Sequence, residues 1–538
     1  MLSNSDLAIV FAGIITILVS YSFILKGHHE GKDRSKIPQP IGLPFLGNLL
    51  QLRQQNPWIQ MSKWTHELGP IYRLKIGQSD LIVLGTPKSA VELLEHKSSK
   101  YSSRPRNIMT SEYASQGLRL TFMPYNDLWR RERKLLHLLT QPRAATKYEP
   151  IQSQESAQLC LDILNHPHNH WKHSQRYAGS TVLQITFNRR ALSIADPAIT
   201  KMRACNDKMI QTAVPGRFLI NSVPILHYLP HILSPWKQYG HHLFNEALSL
   251  FGNLYRQVNP HRRSEQPASH QDLHSASTDC FAARIENLKE TYQLSDHQAI
   301  FLAGAMFGAG SDTTADAIET FIFACAANPE KVAKAQEELD RIVGRERLPE
   351  FSDEDALVYC GAMVRELLRW RTTIPGGLAH MTTEDDEYGG YLIPKGTAVV
   401  ANHWSIHLDE DTYRDAHKFI PERFIHPQTG LLVGTRWSVY GHHAFGFGRR
   451  ICPGLHIANK SLFITFTRLL WSLDIRMKAS PSMQSTQEFI ESVKFSTGFS
   501  SHPVDLDDSL IEIVPQDLRT LRVVSEAIEN AGTDPIKL

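Results

Sequence analysis

The sequence predicts a mainly α-helical domain with small β-sheets at its side, carried on one N-terminal transmembrane helix. Three observations lead there. Between about residue 85 and residue 370, apolar residues recur at helical spacing with only short polar breaks, the period of helices that bury one face. Strand-like runs are few and short. From Leu7 to Leu25 there is not one charged residue. At a rise of about 1.5 Å per residue that run nearly spans the roughly 30 Å hydrocarbon core of a bilayer.

The anchor comes first in the chain. Only Asp6 precedes it, whereas Lys26, Lys32, Arg34 and Lys36 follow. Basic flanks stay on the cytosolic side, so residues 1–6 are expected on the far side of the membrane, 7–25 across it as a single pass, and the rest in the cytosol. A cleaved signal peptide would need a basic start, a shorter apolar core and a small-residue cleavage site. Residues 26–48 form the basic flank and a hinge. Ile37-Pro38-Gln39-Pro40-Ile41-Gly42-Leu43-Pro44 cannot continue a helix, because each proline pushes its predecessor toward an extended conformation. Residues 49–538 read as one domain, with no Gly/Ser-rich or Pro-rich linker inside it.

Within that domain, Ile71 to Ile76 and Leu81 to Leu84 predict a β-hairpin around Gly77-Gln78-Ser79-Asp80. Tyr391 to Ile393 and Ala398 to Val400 predict a second strand pair around Pro394-Lys395-Gly396. Two polar stretches interrupt the helices, His166 to His173 and Gln257 to Thr278. The histidines of the first alternate with Pro167 and Asn169, with no carboxylate or cysteine close by in sequence, which favours a solvated loop over a metal site. Ser295 and Gln298 fit a capping box that opens a long helix, and Asn328-Pro329 stops it. Lys plus Arg number 57 against 55 Asp plus Glu, so no nucleic-acid partner is expected. Apolar residues make up 42% of the chain, enough for a sizeable core. The six cysteines show no C-x-x-C spacing, which suits a reducing compartment.

One of those cysteines stands apart. Phe445-Gly446-Phe447-Gly448-Arg449-Arg450-Ile451-Cys452-Pro453-Gly454 sets Cys452 in a glycine-rich loop with arginines beside it. Cations and the start of the apolar helix from Leu455 both favour a thiolate, so this sulfur is expected to be charged. Phe445, Gly448, Arg450, Cys452 and Gly454 match Phe-x-x-Gly-x-Arg-x-Cys-x-Gly, and the loop resembles the haem-binding loop of the cytochrome P450 family. The resemblance implies haem b, with Cys452 as the axial thiolate of its iron.

Other segments extend the resemblance in family order. The long helix carries Ala309-Gly310-Ser311-Asp312-Thr313-Thr314, poor helix sequence in which Gly304, Gly308 and Gly310 each cost about 1 kcal/mol relative to alanine. Such glycines suit either a helix crossing or a close-lying large neighbour. The segment is similar to the family's oxygen-activating motif, which implies a groove at Ala309 and Gly310 for dioxygen and substrate. Asp312 and Thr313 would then organise the water that delivers protons. Glu366 and Arg369 share a helical face, and Pro421-Glu422-Arg423-Phe424 supplies a second arginine. Together they resemble the family's structural ion network, implying that Glu366, Arg369 and Arg423 lock the approach to Cys452. Trp129 and Arg133, also on one face, resemble the pair that binds a haem propionate, and Arg450 and His380 match further propionate contacts. Arg130, Arg131, Lys134 and Arg449 would face outward as a basic patch for an acidic electron donor.

The implied activity is that of a haem-thiolate monooxygenase, inserting one oxygen atom of O₂ into a hydrophobic small molecule. No flavin or nicotinamide domain is recognisable, so electrons are expected from a separate NADPH-dependent reductase. Texture around Ile374 to His380 and Tyr391 to Thr397 is closest to fungal members that tailor secondary metabolites. Thiolate-haem isomerases and dehydratases of the same fold need no acid–alcohol pair, which is present here. A tethered haem sensor would use neither that pair nor the basic patch. Substrate contacts are expected in Ser102 to Met123, Cys205 to Val223, Ile374 to Leu378 and around Phe499. The acidic Asp505-Leu506-Asp507-Asp508 has no assignment from sequence.

Overall fold

A computed structural model describes Gly13 and residues 37–532, apart from Phe45, 53–55, Gln78, Pro215, 260–279 and 479–484. The predicted anchor and basic flank fall, but for Gly13, outside the described residues, as does most of the second polar stretch. Among the described residues no helix is long and apolar enough to cross a membrane. The hinge is docked on the domain. Ile37 is buried, Arg73 donates its backbone N–H to Pro38 O at 2.8 Å, and the Arg73 guanidinium holds Gln39 Oε1 at 2.7 Å.

The domain is mainly helical, as the periodicity predicts, and one helix, Asp296–Ala327, organises it. Its start is the predicted capping box: Gln298 N donates to Ser295 Oγ at 3.3 Å, and Ser295 N donates to Gln298 Oε1 at 2.7 Å. Asn328 and Pro329 end it. Its glycines serve helix crossings. A Cβ on Gly304 would lie 2.3 Å from the Phe251 ring, and one on Gly310 would lie 2.6 Å from Val182 of the helix His170–Phe187. Without side chains there, the crossing helices approach closely, which offsets the poor local propensity. Toward its C-terminus, Phe321 stacks on Phe466 of the helix Leu455–Ser472 at 3.8 Å. Toward its N-terminus, Phe301 meets Phe244 and Phe251 at 5.2 and 5.5 Å. Two apolar clusters thus form around one helix.

The histidine-rich stretch is solvated only in part: His166 and His168 are exposed, but the segment is not a loop throughout. Pro167–Asn169 form a helical turn and His170 opens the next helix. The His170 side chain is buried, its Nδ1 lies 3.0 Å from Glu319 Oε2, and its Nε2 lies 2.9 Å from Leu506 O. A carboxylate and a carbonyl both accept, so both ring nitrogens donate. Burial opposes the charge, but Glu319 outweighs it and raises the His170 pKa. The partner is distant in sequence, so local spacing did not reveal it. The acidic segment at 505–508 finds its place here too: it presents Leu506 O to His170, and the Asp508 charge reinforces the pair. No group of metal-ligating side chains occurs among the described residues.

Strands Ile71–Ile76 and Ser79–Leu84 pair antiparallel as a hairpin, with Ile76 opposite Ser79. The second predicted pair forms differently. Tyr391–Ile393 and Ala398–Ala401 are strands, but they do not pair with each other. Tyr391–Ile393 pairs with Asp386–Tyr388. Ala398–Ala401 lies parallel to Ser79–Leu84 and antiparallel to His380–Met381, joining the hairpin in a four-stranded sheet. Val399, Val400 and Ala401 are buried in succession, so both faces of the strand are covered, and that burial suits it to the interior of the larger sheet.

Candidate active site

The Cys452 loop is closed by its own backbone. Cys452 N donates to Phe445 O at 2.8 Å, and the helix Leu455–Ser472 begins directly after Gly454. Gly448 has φ +54°, and a Cβ there would fall 2.1 Å from Leu94 O, so only glycine lets this loop press on its neighbour. The electrostatics differ from the sequence expectation. Arg449 is exposed and turned to the Tyr125 hydroxyl, while Arg450 lies over the Trp129 ring at 4.2 Å. Neither neutralises the sulfur. Burial raises the Cys452 pKa, countered by the Gly454 N–H and the charge of Arg133. The thiolate therefore needs a further positive charge at the sulfur, which a metal ion provides.

Around that loop, cations gather without anions. Arg450 donates Nε to Ser102 O at 2.7 Å and Nη2 to Met123 O at 2.8 Å. Arg104, which sequence reasoning missed, donates Nε to Thr121 O at 3.1 Å and Nη1 to Ala379 O at 2.7 Å. His380 holds Tyr101 O with Nδ1 at 2.7 Å. None of Arg104, Arg133 and Arg450 forms an ion pair with a carboxylate among the described residues. Burial and the neighbouring Arg104 and Arg133 push Arg450 down to about 8. Burial takes Arg104 to about 10, and burial with the charges of Arg104 and Arg450 takes His380 to about 3. Mutual repulsion of buried cations is stable only with anions between them. The two propionates of haem would meet that need, and Cys452, within the field of Arg133, would be available to ligate its iron. The residues present fit the group.

On the long helix, Ala309 is exposed, and Ala305, Met306, Gly310, Asp312, Thr313 and Thr314 are half-buried in a helix that is otherwise largely buried. Thr313 Oγ1 donates to Ala309 O at 2.9 Å, a back-bond that loosens the helix where the acid–alcohol pair sits. Asp312 Oδ2 accepts from Asn206 Nδ2 at 2.8 Å, and the same amide reaches Gly308 O at 2.9 Å. Burial pushes Asp312 up to about 6, against the pull of that hydrogen bond. It is an acid poised to exchange protons near neutral pH. Gly310 turns its missing side chain to Val182, so among the paired small residues Ala309 is the exposed one.

Glu366, Arg369 and Arg423 meet as a buried network. Arg369 holds the Glu366 carboxylate with Nε and Nη2, both at 2.7 Å, and Arg423 Nε lies 3.3 Å from it. Arg369 Nη1 donates to His407 O and Ala416 O, each at 2.8 Å. From there the contact path reaches the cysteine loop: His443 N donates to His407 Nε2 at 2.9 Å, and the His443 ring stacks on Phe447 at 4.8 Å. The histidine relay had no sequence signal, since His407 and His443 sit in unpatterned polar segments.

The predicted basic patch is three-quarters as drawn: Arg130, Lys134 and Arg449 are exposed, but Arg131 is half-buried and reaches Gln293 Oε1 at 3.4 Å. Two of the predicted substrate segments do come together, with Thr110 Oγ1 and Thr212 Oγ1 hydrogen-bonded at 2.8 Å and Met109 N donating to Asn221 Oδ1 at 3.0 Å.

Comparison with known proteins identifies the family of the chain. Residues 37–498 match the family profile described as Cytochrome P450. A cytochrome P450 monooxygenase of Armillaria gallica is 35% identical over 467 residues, covering 86% of this chain and 88% of the relative. Cytochrome P450 monooxygenase 58 of Postia placenta is 35% identical over 459 residues, 84% of this chain and 85% of the relative. Cytochrome P450 monooxygenase verL of Clonostachys rogersoniana is 36% identical over 449 residues, 81% of this chain and 80% of the relative. With its cysteine loop, its unpaired arginines and its acid–alcohol helix in place, the chain belongs to the cytochrome P450 family and is a haem-thiolate monooxygenase.

Proposed function

We propose that this enzyme inserts one oxygen atom of O₂ into a hydrophobic small molecule in fungal secondary-metabolite biosynthesis, using electrons from a separate NADPH-dependent reductase. The observation that carries the site reading is the cluster of buried Arg104 and half-buried Arg133 and Arg450, none paired with a carboxylate among the described residues, near the Cys452 loop. Haem supplies the redox chemistry that divides O₂ between substrate and water. The chain's own residues do the rest. Cys452 would give the iron its thiolate, and Trp129, Arg133, Arg450, Arg104 and His380 would hold the propionates. Phe445 and Gly454 shape the loop, and the exposed Ala309 would leave room for dioxygen and substrate. Asp312, its carboxyl pushed up to about 6 by burial, passes protons toward Thr313, whose hydroxyl holds the accepting water.

The single-pass anchor at 7–25, the endoplasmic reticulum membrane and a cytosolic domain belong to the same proposal. Supporting a membrane surface, Leu219, Tyr228 and Ile232 are 69%, 83% and 88% exposed, and Ile41 of the hinge is 92% exposed. Exposed apolar side chains in such number mark a contact surface. Arg130, Lys134 and Arg449 are the cations offered to an acidic reductase.

The test is spectroscopic and then catalytic. Reduced protein with carbon monoxide is expected to show the red-shifted Soret band of thiolate ligation, and Cys452→Ser to lose it. Thr313→Ala is expected to keep the band, and to raise peroxide release several-fold at the expense of product. An unshifted band in the parent removes the thiolate assignment, and unchanged coupling removes the role given to Thr313.

A further inference from the structure

One half-buried arginine, with the Nε of its guanidinium fully buried, lies outside the haem site and has no partner suited to it. Arg119 sits within the first predicted substrate segment, next to Leu120, whose carbonyl is held by Arg450. Its side chain leads elsewhere, to the helices Pro197–Ala213 and Pro235–Val258. There its Nη2 lies 3.5 Å from Cys205 Sγ, and its Cζ stands 5.7 Å over the Phe251 ring. That sulfur contact is its one side-chain hydrogen bond among the described residues, and Nε is buried with no partner. The surroundings are apolar, with Leu118, Leu120, Met202, Phe251 and Phe301 in one cluster. Burial lowers its pKa.

Other buried arginines are provided for. Arg468 donates to Pro349 O and Ser153 O, and to the Ser156 hydroxyl. Arg371 is sandwiched among Trp370, Trp404 and Phe495 and donates to Trp370 O. Arg369 has a carboxylate. Arg119 has neither carboxylate nor carbonyl, only a weak sulfur acceptor and one ring. A desolvated cation in that state is costly unless an anion joins it. Its position joins the two segments assigned to substrate, since Arg119 comes from one and Cys205 from the other.

We propose that Arg119 anchors a carboxylate of the substrate, so that the hydrophobic molecule oxidised here is an acid. The proposal rests on the reading of residues 102–123 and 205–223 as substrate-contacting. A guanidinium fork grips a carboxylate through two parallel N–H donors, and the apolar side chains around it accommodate the hydrocarbon.

The experiment compares matched acids and esters on the haem-loaded full chain. The probes are dodecanoate and abietate, each against its methyl ester, at pH 8. Binding is measured by equilibrium dialysis, so the result does not depend on turnover or on the haem spectrum. The parent is expected to bind at least one acid about tenfold or more tighter than its ester, the ratio a charge-assisted pair provides. Arg119→Met should abolish that preference by weakening the acid and leaving the ester unchanged, and Arg119→Lys should restore part of it. No acid preference in either pair overturns the proposal. So does a preference that survives Arg119→Met, or a variant that loses acid and ester equally. The carbon monoxide spectrum of each sample is recorded separately: an unshifted parent band overturns the thiolate reading, whereas a shifted band with no acid preference overturns the Arg119 proposal alone.

Discussion

Replacing Glu366 with glutamine keeps its size and removes its charge, and the structure sets the expected cost. Four donors converge on the carboxylate: Arg369 Nη2 and Ile420 N at 2.7 Å and Arg423 Nε at 3.3 Å on Oε1, and Arg369 Nε at 2.7 Å on Oε2. Both Glu366 and Arg369 have side chains with no exposure. An amide in that position turns an N–H toward guanidinium N–H groups, replacing attraction by a donor–donor clash. Breaking a buried pair while leaving its cation behind costs about 3–5 kcal/mol. Folded domains hold only about 5–15 kcal/mol in total. Glu366→Gln is therefore expected to lower the urea midpoint by about 1 M or more, for a denaturant slope near 3 kcal/mol per M. It should also cut sharply the fraction of protein that shows the shifted carbon monoxide band. Glu366→Asp keeps the charge and should fall between. A Glu366→Gln protein within about 1 kcal/mol of the parent would refute the account, because the carboxylate would then not be balancing buried charge.

Two further substitutions test the electrostatics. Arg104→Met removes one of the cations assigned to the propionates, and is expected to speed haem transfer to apomyoglobin about tenfold, the effect of one charge-assisted hydrogen bond. An unchanged rate would return Arg104 to a purely structural role. Asp312→Asn tests the carboxyl pushed up to about 6. Because its folded pKa exceeds its unfolded one, the native state binds more protons between pH 4 and 6, and this group's contribution to stability falls as pH rises through that range. The variant lacks that loss, so its stability relative to the parent should climb by at most about 3 kcal/mol between pH 4 and 6.5 in urea titrations. A difference that stays flat with pH would show that Asp312 titrates normally.

Much of this molecule was legible because its chemistry is local. The capping box at Ser295 and Gln298, the hairpin at 71–84 and the Glu366–Arg369 pair each depend on residues a few positions apart, and each forms as spacing predicts. What escaped depends on distant partners. His170 looked like a solvated histidine because Glu319 lies far along the chain. Tyr391–Ile393 and Ala398–Ala401 looked like a hairpin because nothing local shows that Ser79–Leu84 is the better neighbour. Arg104 sits in an unremarked Ser-Arg-Pro run, and only the fold brings it to Arg450 and His380. The glycines of the long helix were correctly read as signs of close approach at 304 and 310, but the approaching groups are Phe251 and Val182.

The carbonyls chosen by Arg104 and Arg450 have a consequence for how such an enzyme changes its habits. Those two side chains hold Ser102 O on one side and Leu120 O, Thr121 O and Met123 O on the other, while Arg104 also holds Leu378 O and Ala379 O. The chain between, which includes the helical segment Ile108–Ala114, is pinned at both feet by the two arginines proposed to hold the cofactor. Its middle includes the buried Ile108, Met109, Thr110 and Tyr113, so only its exposed and half-buried positions can be rewritten by mutation without disturbing the packing between those pins. A change at either foot is felt twice, once in what the enzyme accepts and once in whether it keeps its haem.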